Sequence, residues 1–600
     1  MVSLPQLSTN GSPAPAPQQP VALVTAPPGL GKTYATLQAL AAHGSRALFV
    51  TPTHELASQV QRDLQALGVT THYWRQGPDE HDECIKTDEV EFFRGLGYLI
   101  RFGPCQDCSK RRSCTYRRLF TTGANRSAQV LILTSWHLCR PDLWGLKALK
   151  DRPLVILDED ALSALAAPVE LTLERLQRFI ENIEPLREAV EDGDEREDAD
   201  TARTLVDIFR RAAEDVLRTC ATAGRGIWLA SELIFDQIDA GRDRPLLEDR
   251  DAFWLLVRSA YAAARRRTAL PNMLADLCEL LLEPRAVHVS TGACRWTRHA
   301  PIPGNRQVLM LDATAEPTVV EGILGRPVER IDTPPVEQRA TIYQVMDKIA
   351  TRAGNRKDLA SERSWTLRLA TEIARKHVGQ RLLCVTFKQD EQQLADLLQR
   401  EHGDATVIHY GALRGLNAFA GYEAGLIIGR PMPNEAQLQL LAVAAFGRDA
   451  LDDKLQAPPL TWQFHSHEIG PDTWTVRCQQ YEDPRWQAVW RHVVTGELAQ
   501  AVGRLRPLTN DATVYVVSNE PLPAALDVTA VYAAELFPTM AGSSRRSDFQ
   551  QRVRQYAKNM ESLAAAGTEP TNRAVCAKMG IKECNGFRYR KLAKSAPRPP

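Results

Sequence analysis

The stretch at 21–33, VALVTAPPGLGKT, constrains this chain more than any other, because an apolar run breaks there into a glycine-rich turn and resumes as a helix-forming segment. Val21 to Val24 read as a buried strand. Gly29 and Gly31 then let backbone N–H groups converge on phosphate oxygens with no side chain in the way. Lys32 is placed to reach β- and γ-phosphates and Thr33 to offer a hydroxyl to Mg²⁺. The helix expected over 33–42 aims its positive N-terminus at the same anion. A chance Gly-Lys-Thr turn would lack this order of strand, loop and helix, which fits ATP with Mg²⁺ bound at the edge of a parallel α/β sheet.

The rest of the chain supplies more of that sheet in pieces. Residues 46–52 form a short buried strand, and a helix opens after Thr53, a suitable N-cap. Residues 75–128 break the pattern: they are polar, rich in arginine, and carry Cys84, Cys105, Cys108 and Cys114, so they read as an insertion. The sheet resumes at 129–135 and at 154–160, where the apolar run LVIL ends in Asp158, Glu159 and Asp160. From 166 to 300 the apolar spacing of Leu171, Leu176, Phe179, Ile180, Ile183 and Leu186 predicts a second, all-helical insertion. Strand character returns at 308–315 and then at 381–387, 405–408, 426–428 and 513–517. Two successive parallel sheets, only the first with a phosphate loop, predict two similar lobes with nucleotide between them.

Charge is informative only in its distribution. Lys+Arg and Asp+Glu both number 73, but residues 181–200 hold ten acids against two bases, and 544–600 hold thirteen bases against four acids. That basic end suits nucleic-acid phosphate. Its segment 570–581 reads as a short helix and turn and 587–592 as a basic second helix, a helix-turn-helix-like pattern that a solvated basic tail would also fit. No apolar run is long enough to span a membrane. The first nineteen residues, rich in Pro, Ser and Gln, lack the plan of a signal peptide and read as a disordered tail, which implies the cytoplasm. In a reducing compartment a local group of cysteines points to metal instead of disulfides, and four thiolates suit zinc and an iron-sulfur cluster alike.

Asp158-Glu159 at the end of a buried strand is the pair needed to hold Mg²⁺ and to activate the attacking water. Residues 500–506, QAVGRLR, lie late in the second lobe, where an arginine presented across the cleft would stabilise charge on the transferring phosphoryl group.

In order, these motifs resemble superfamily 2 helicases, and specifically the iron-sulfur XPD/DinG group, over roughly residues 20–540. APPGLGKT at 26–33 is similar to motif I, TPTHELA at 51–57 to motif Ia, DEDA at 158–161 to the DEAH-type motif II and DATA at 312–315 to motif III. GALRGLN at 411–417, followed by LIIGRP at 426–431, is similar to motif V, and 500–506 to motif VI. A cysteine-bearing insertion between Ia and II and a second between II and III stand where that group has its iron-sulfur and Arch domains. Motif II departs from the group in ending Asp160-Ala161, motif V in Arg414 and Asn417, and motif VI in a second arginine one residue early, with Pro507 in its place.

The resemblance implies two RecA-like lobes: 20–165 with the iron-sulfur insertion at 75–128, completed by 301–335, and 336–543. An Arch-like helical insertion at 166–300 and a small basic module at 544–600 complete the layout. Lys32, Asp158, Glu159, Gln500 and Arg504 are the expected catalytic set, with Arg504 as the arginine finger, and Gly29, Gly31, Lys32 and Thr33 the nucleotide cradle. Cys84, Cys105, Cys108 and Cys114 would hold a 4Fe-4S cluster. The implied activity is ATP-dependent 5′-to-3′ unwinding on single-stranded or forked DNA. The rival reading is a DNA-binding accessory protein whose motor core switches shape with ATP and does not unwind.

Overall fold

The computed structural model describes residues 19–74 (except 28), 84–87, 89–90, 105, 108–114, 116, 127–139, 143–144, 147–159, 161–191, 196–222, 226–229, 276–277, 280, 286–290, 292–333, 336–413, 419, 421–451, 456–469, 472–523, 526–541, 545–583 and 586. Before the second insertion come β1 (Val21–Val24), β2 (Ala47–Thr51), β3 (Thr71–Tyr73), β4 (Val130–Thr134) and β5 (Leu154–Asp158), with helices α1 (Lys32–His43) and α2 (His54–Ala66). Within it lie β6 (Ala166–Thr172), helices α3 (Leu173–Glu191) and α4 (Arg196–Thr222), β7 (Gly226–Leu229), β8 (Ala286–Ser290) and β9 (Ala293–His299). After it, β10 (Gln307–Leu311), α5 (Pro317–Leu324) and β11 (Val328–Ile331) complete the first lobe.

The first sheet runs β11-β1-β10-β5-β2-β4-β3, every pairing parallel. β2 and β4 are buried at every position, the pattern of strands covered by helices on both faces. Each fully buried Leu, Val or Phe among them contributes about 1.5–3 kcal/mol to holding the lobe. Thr53 caps α2 as the sequence predicted, its hydroxyl accepting the Leu56 N–H at 3.3 Å.

The second lobe contains β12 (Thr341–Val345), β13 (Leu382–Thr386), β14 (Ala405–His409), β15 (Ala424–Ile428), β18 (Thr513–Val517) and β19 (Val528–Val531) in the order β14-β13-β15-β18-β12-β19, again parallel throughout. Between β15 and β18 come α6 (Glu435–Phe446), an antiparallel hairpin of β16 (Thr461–Ile469) and β17 (Asp472–Gln480), α7 (Pro484–Trp490) and α8 (Gly496–Gly503). The hairpin was not foreseen. Neither was the way α6 and α7 pack: Leu438, Ala442, Ala445, Trp486 and Trp490 share one apolar core with Leu157, Met310 and Val320 of the first lobe. A side chain at Gly322 of α5 would collide with the Ala445 carbonyl of α6, so the two helices meet backbone to backbone.

The 166–300 segment is not all helical. β6, β9, β8 and β7 form an antiparallel sheet, and α3 and α4 close a core around Leu171, Phe179, Phe209 and Trp296. Val90 and Tyr116 of the first insertion lie in this same core, with Cys84, Cys105 and Cys114 packed against it, so the described parts of the two insertions form one folded unit. At the C-terminus, α9 (Arg545–Ala565) and α10 (Asn572–Met579) meet around Tyr556, Val575 and Cys576, and the Tyr556 hydroxyl donates to Asn572 Oδ1 at 2.7 Å. Residues 587–592, expected as a second basic helix, lie outside the described residues, as do Asp160 and Arg414 to Asn417.

Candidate nucleotide site between the lobes

The loop after β1 turns through Gly29 at φ +90° and Gly31 at φ +84°, left-handed conformations that glycine adopts without penalty. Lys32 Nζ donates to the carbonyls of Ala26 at 2.8 Å and Pro27 at 3.3 Å, so the ammonium spans the mouth of the loop. Burial pushes the Lys32 pKa down, opposed by the carboxylates of Asp312, Asp158 and Glu159. Thr33 Oγ1 stands 2.9 Å from Asp158 Oδ1 and 3.0 Å from Oδ2, which places the two expected Mg²⁺ ligands side by side. Asp158 is 2% exposed at the end of β5, and burial, reinforced by the neighbouring Glu159, pushes its carboxyl up to about 7. A divalent cation would reverse that shift by favouring the carboxylate.

Glu159 follows at φ +49°, a left-handed conformation unusual for a non-glycine residue, which turns its half-exposed side chain out of the strand. Across the cleft, Arg504 Nη2 lies 3.9 Å from Glu159 Oε2, with the arginine side chain only 10% exposed. Gln500 is one turn earlier on α8, its carbonyl accepting the Arg504 N–H at 3.1 Å. The structure thus gathers Gly29, Gly31, Lys32, Thr33, Asp158, Glu159 and Arg504, with Gln500 on the element that delivers Arg504.

The sequence favours Arg504 over Arg506 as the finger, but Arg506 also reaches the site. This residue takes φ +53°, and its Cδ is 3.3 Å from where a Cβ on Gly29 would stand, so its guanidinium arm lies on the phosphate loop. Nothing in the sequence announces a left-handed arginine; the one available signal was its placement directly before Pro507. Motif III joins the lobes as well. Asp312 Oδ1 accepts the Thr314 N–H and hydroxyl at 2.9 and 2.8 Å, His492 Nδ1 is 3.1 Å from the Thr314 carbonyl, and Arg491 pairs with Glu316 at 2.7 Å.

The four cysteines of the first insertion are all half-buried free thiols, whereas Cys139, Cys220, Cys294, Cys384, Cys478 and Cys576 are buried. Their donor chemistry suits a metal cluster, but the described residues contain no group of three or more thiol, imidazole or carboxylate side chains set to hold a metal ion. No helix among the described residues is long and apolar enough to cross a membrane.

A phosphate loop, a buried carboxylate at the end of a parallel strand and arginines from a second parallel-sheet lobe define a two-lobed P-loop nucleoside-triphosphatase. Residues 14–88 match the model of the DEAD/DEAH box helicase family. The order of the motifs, with that partial match, is similar to superfamily 2 helicases of the XPD/DinG group. No curated protein matches the chain. Among solved structures it is similar to S. tokodaii Xpd4, at 10% identity over 85% of this chain and 96% of that one with a TM-score of 0.46. An XPD helicase gives 13% identity over 83% and 92%, TM-score 0.46. S. cerevisiae Dbp5 bound to RNA and ADP BeF3 gives 8% over 87% of both chains, TM-score 0.33.

Proposed function

We propose that this chain is an ATP-dependent DNA helicase that moves 5′-to-3′ along single-stranded DNA in the cytoplasm and opens forked duplexes. The observation that supports it most is the reach of Arg504 to Glu159 and of Arg506 to the loop at Gly29, because a site finished by the second lobe couples nucleotide state to lobe closure. Mg²⁺ would be held by Thr33 and Asp158, Glu159 would orient and deprotonate water, and Lys32 would hold the phosphates. The test is unwinding of forked duplexes with a single strand of either polarity. Displacement from the 5′ tail alone is expected. ATP-dependent DNA binding with no displacement on any fork would instead establish the rival, non-unwinding switch.

The two arginines divide the work in this reading. Arg504, beside the water-activating carboxylate, acts mainly in the transition state, so Arg504→Ala lowers kcat more than it changes KM. Arg506, lying on the phosphate loop, serves ground-state binding, so Arg506→Ala mainly raises KM. Steady-state ATPase kinetics check both, and the reverse pattern would move the finger to Arg506.

Cys84, Cys105, Cys108 and Cys114 are further proposed to hold a 4Fe-4S cluster, which would supply a rigid, basic body for engaging the fork. The half-buried thiols of all four, and the packing of Cys84, Cys105 and Cys114 against the inserted core, support this. Anaerobically purified protein should then contain iron and acid-labile sulfide in equal amounts. Cys→Ser at any of the four should remove both, and should expose 166–300 to proteolysis because Cys84, Cys105 and Cys114 pack on the same core. Stoichiometric zinc without sulfide would overturn the assignment.

A further inference from the structure

The geometry points to Tyr34 as the platform on which the nucleobase of the bound nucleotide stacks. This rests on the nucleotide reading of the loop and adds the part that recognises the base. Tyr34 is 56% exposed, and among the described residues no hydrogen bond holds its phenol. It belongs to the first turn of α1, whose inward face is set by Leu37 and Leu40. Successive helical residues are rotated by about 100°, so Tyr34 leaves the helix roughly 200° from Lys32, on nearly the opposite side.

The two sides of that helix end differ in chemistry. Lys32 faces Asp312, Asp158 and Glu159, and Arg504 closes over Glu159, so the γ-phosphate end of a nucleotide belongs on that side. A nucleotide whose β-phosphate rests on the loop must then send its nucleoside the other way. Among the described residues, the flank of β1 away from β10 and β5 carries the edge strand β11, whose Ile331 pairs with Val24 and is 46% exposed. That flank is open. A planar base leaving in this direction meets an exposed aromatic ring at the helix start, and stacking on such a ring tolerates any base while favouring the larger purines.

The test is calorimetric titration of the full chain with Mg²⁺-ATP and with Mg²⁺-tripolyphosphate, which has no base. Tyr34→Ala should weaken ATP about tenfold and leave tripolyphosphate unchanged, while Tyr34→Phe should retain both affinities. Unchanged tripolyphosphate binding also shows that the loop in the variant is folded. Lys32→Ala serves as the reference that weakens both ligands. Equal loss of both ligands in Tyr34→Ala, or no loss of either, overturns the platform; failure of the unsubstituted protein to bind ATP would overturn the nucleotide site itself.

Discussion

Replacement of Glu159 by Gln leaves Mg²⁺-ATP binding intact and lowers DNA-stimulated ATP turnover by about 10²–10⁴-fold, the loss expected when a general base is removed. The residue is half exposed and outside the β5 ladder, so the amide fits the same space without disturbing the sheet. It also sits where a water between Arg504 and the γ-phosphate would be found, since the arginine is 3.9 Å away. Lys32→Ala gives a different signature. Its ammonium caps the Ala26 and Pro27 carbonyls and answers three nearby acids, so its loss weakens nucleotide binding as well as turnover. Binding is measured by titration and turnover by phosphate release. Full stimulated ATPase activity in either variant would rule out the motor reading.

The parts of the site that were legible in the sequence are those whose chemistry is written in consecutive residues. Val21–Val24, Ala47–Thr51 and Leu154–Asp158 are covered on both faces, so they appear as apolar runs, and the acids or glycines that follow them mark the site directly. Edge strands carry no such signal. β11 is Val-Glu-Arg-Ile and three of its four residues are exposed, while β3 is only three residues long. The distance between Arg504 and Glu159 is likewise a property of lobe docking, which depends on α5 and α6 meeting at Gly322 and Ala445.

The inserted sheet was missed for a different reason. Leu171 has helical spacing to Leu176 and Phe179, yet it lies in β6, where only it and Ala166 are buried, and the helix starts only at Leu173. β8 and β9 did carry a hairpin pattern: AVHVS and ACRWTRH alternate in polarity on either side of Gly292, which turns at φ +98°. The helical spacing of Leu176, Phe179, Ile180 and Ile183 outweighed it. Cys84, Cys105 and Cys114 gained meaning from the same unit, because only the structure shows them against its core.

Asp158→Asn should abolish hydrolysis yet stabilise the metal-free protein at pH 8. The sign follows from the carboxyl being pushed from 3.8 up to about 7. In the unfolded chain this group ionises near pH 4, whereas in the folded chain it keeps its proton to about pH 7. Between those limits the folded state binds more protons, so stability falls as pH rises from about 4 to about 7 and is flat above. A shift of roughly three units corresponds to a cost on the order of 4 kcal/mol at pH 8, with no metal to offset it. An asparagine keeps an acceptor for the Thr33 hydroxyl, which lies 2.9 Å from Asp158 Oδ1, and carries no charge to bury. The variant should therefore melt above the unsubstituted protein at pH 8, in EDTA, with the gap shrinking steadily as the pH falls towards 4. Adding Mg²⁺-ATP should raise the melting point of the unsubstituted protein alone, since the cation restores the carboxylate's partner. If metal-free Asp158→Asn melts lower at pH 8, the buried carboxylate is already compensated within the fold, and its strand end is not a site waiting for a cation.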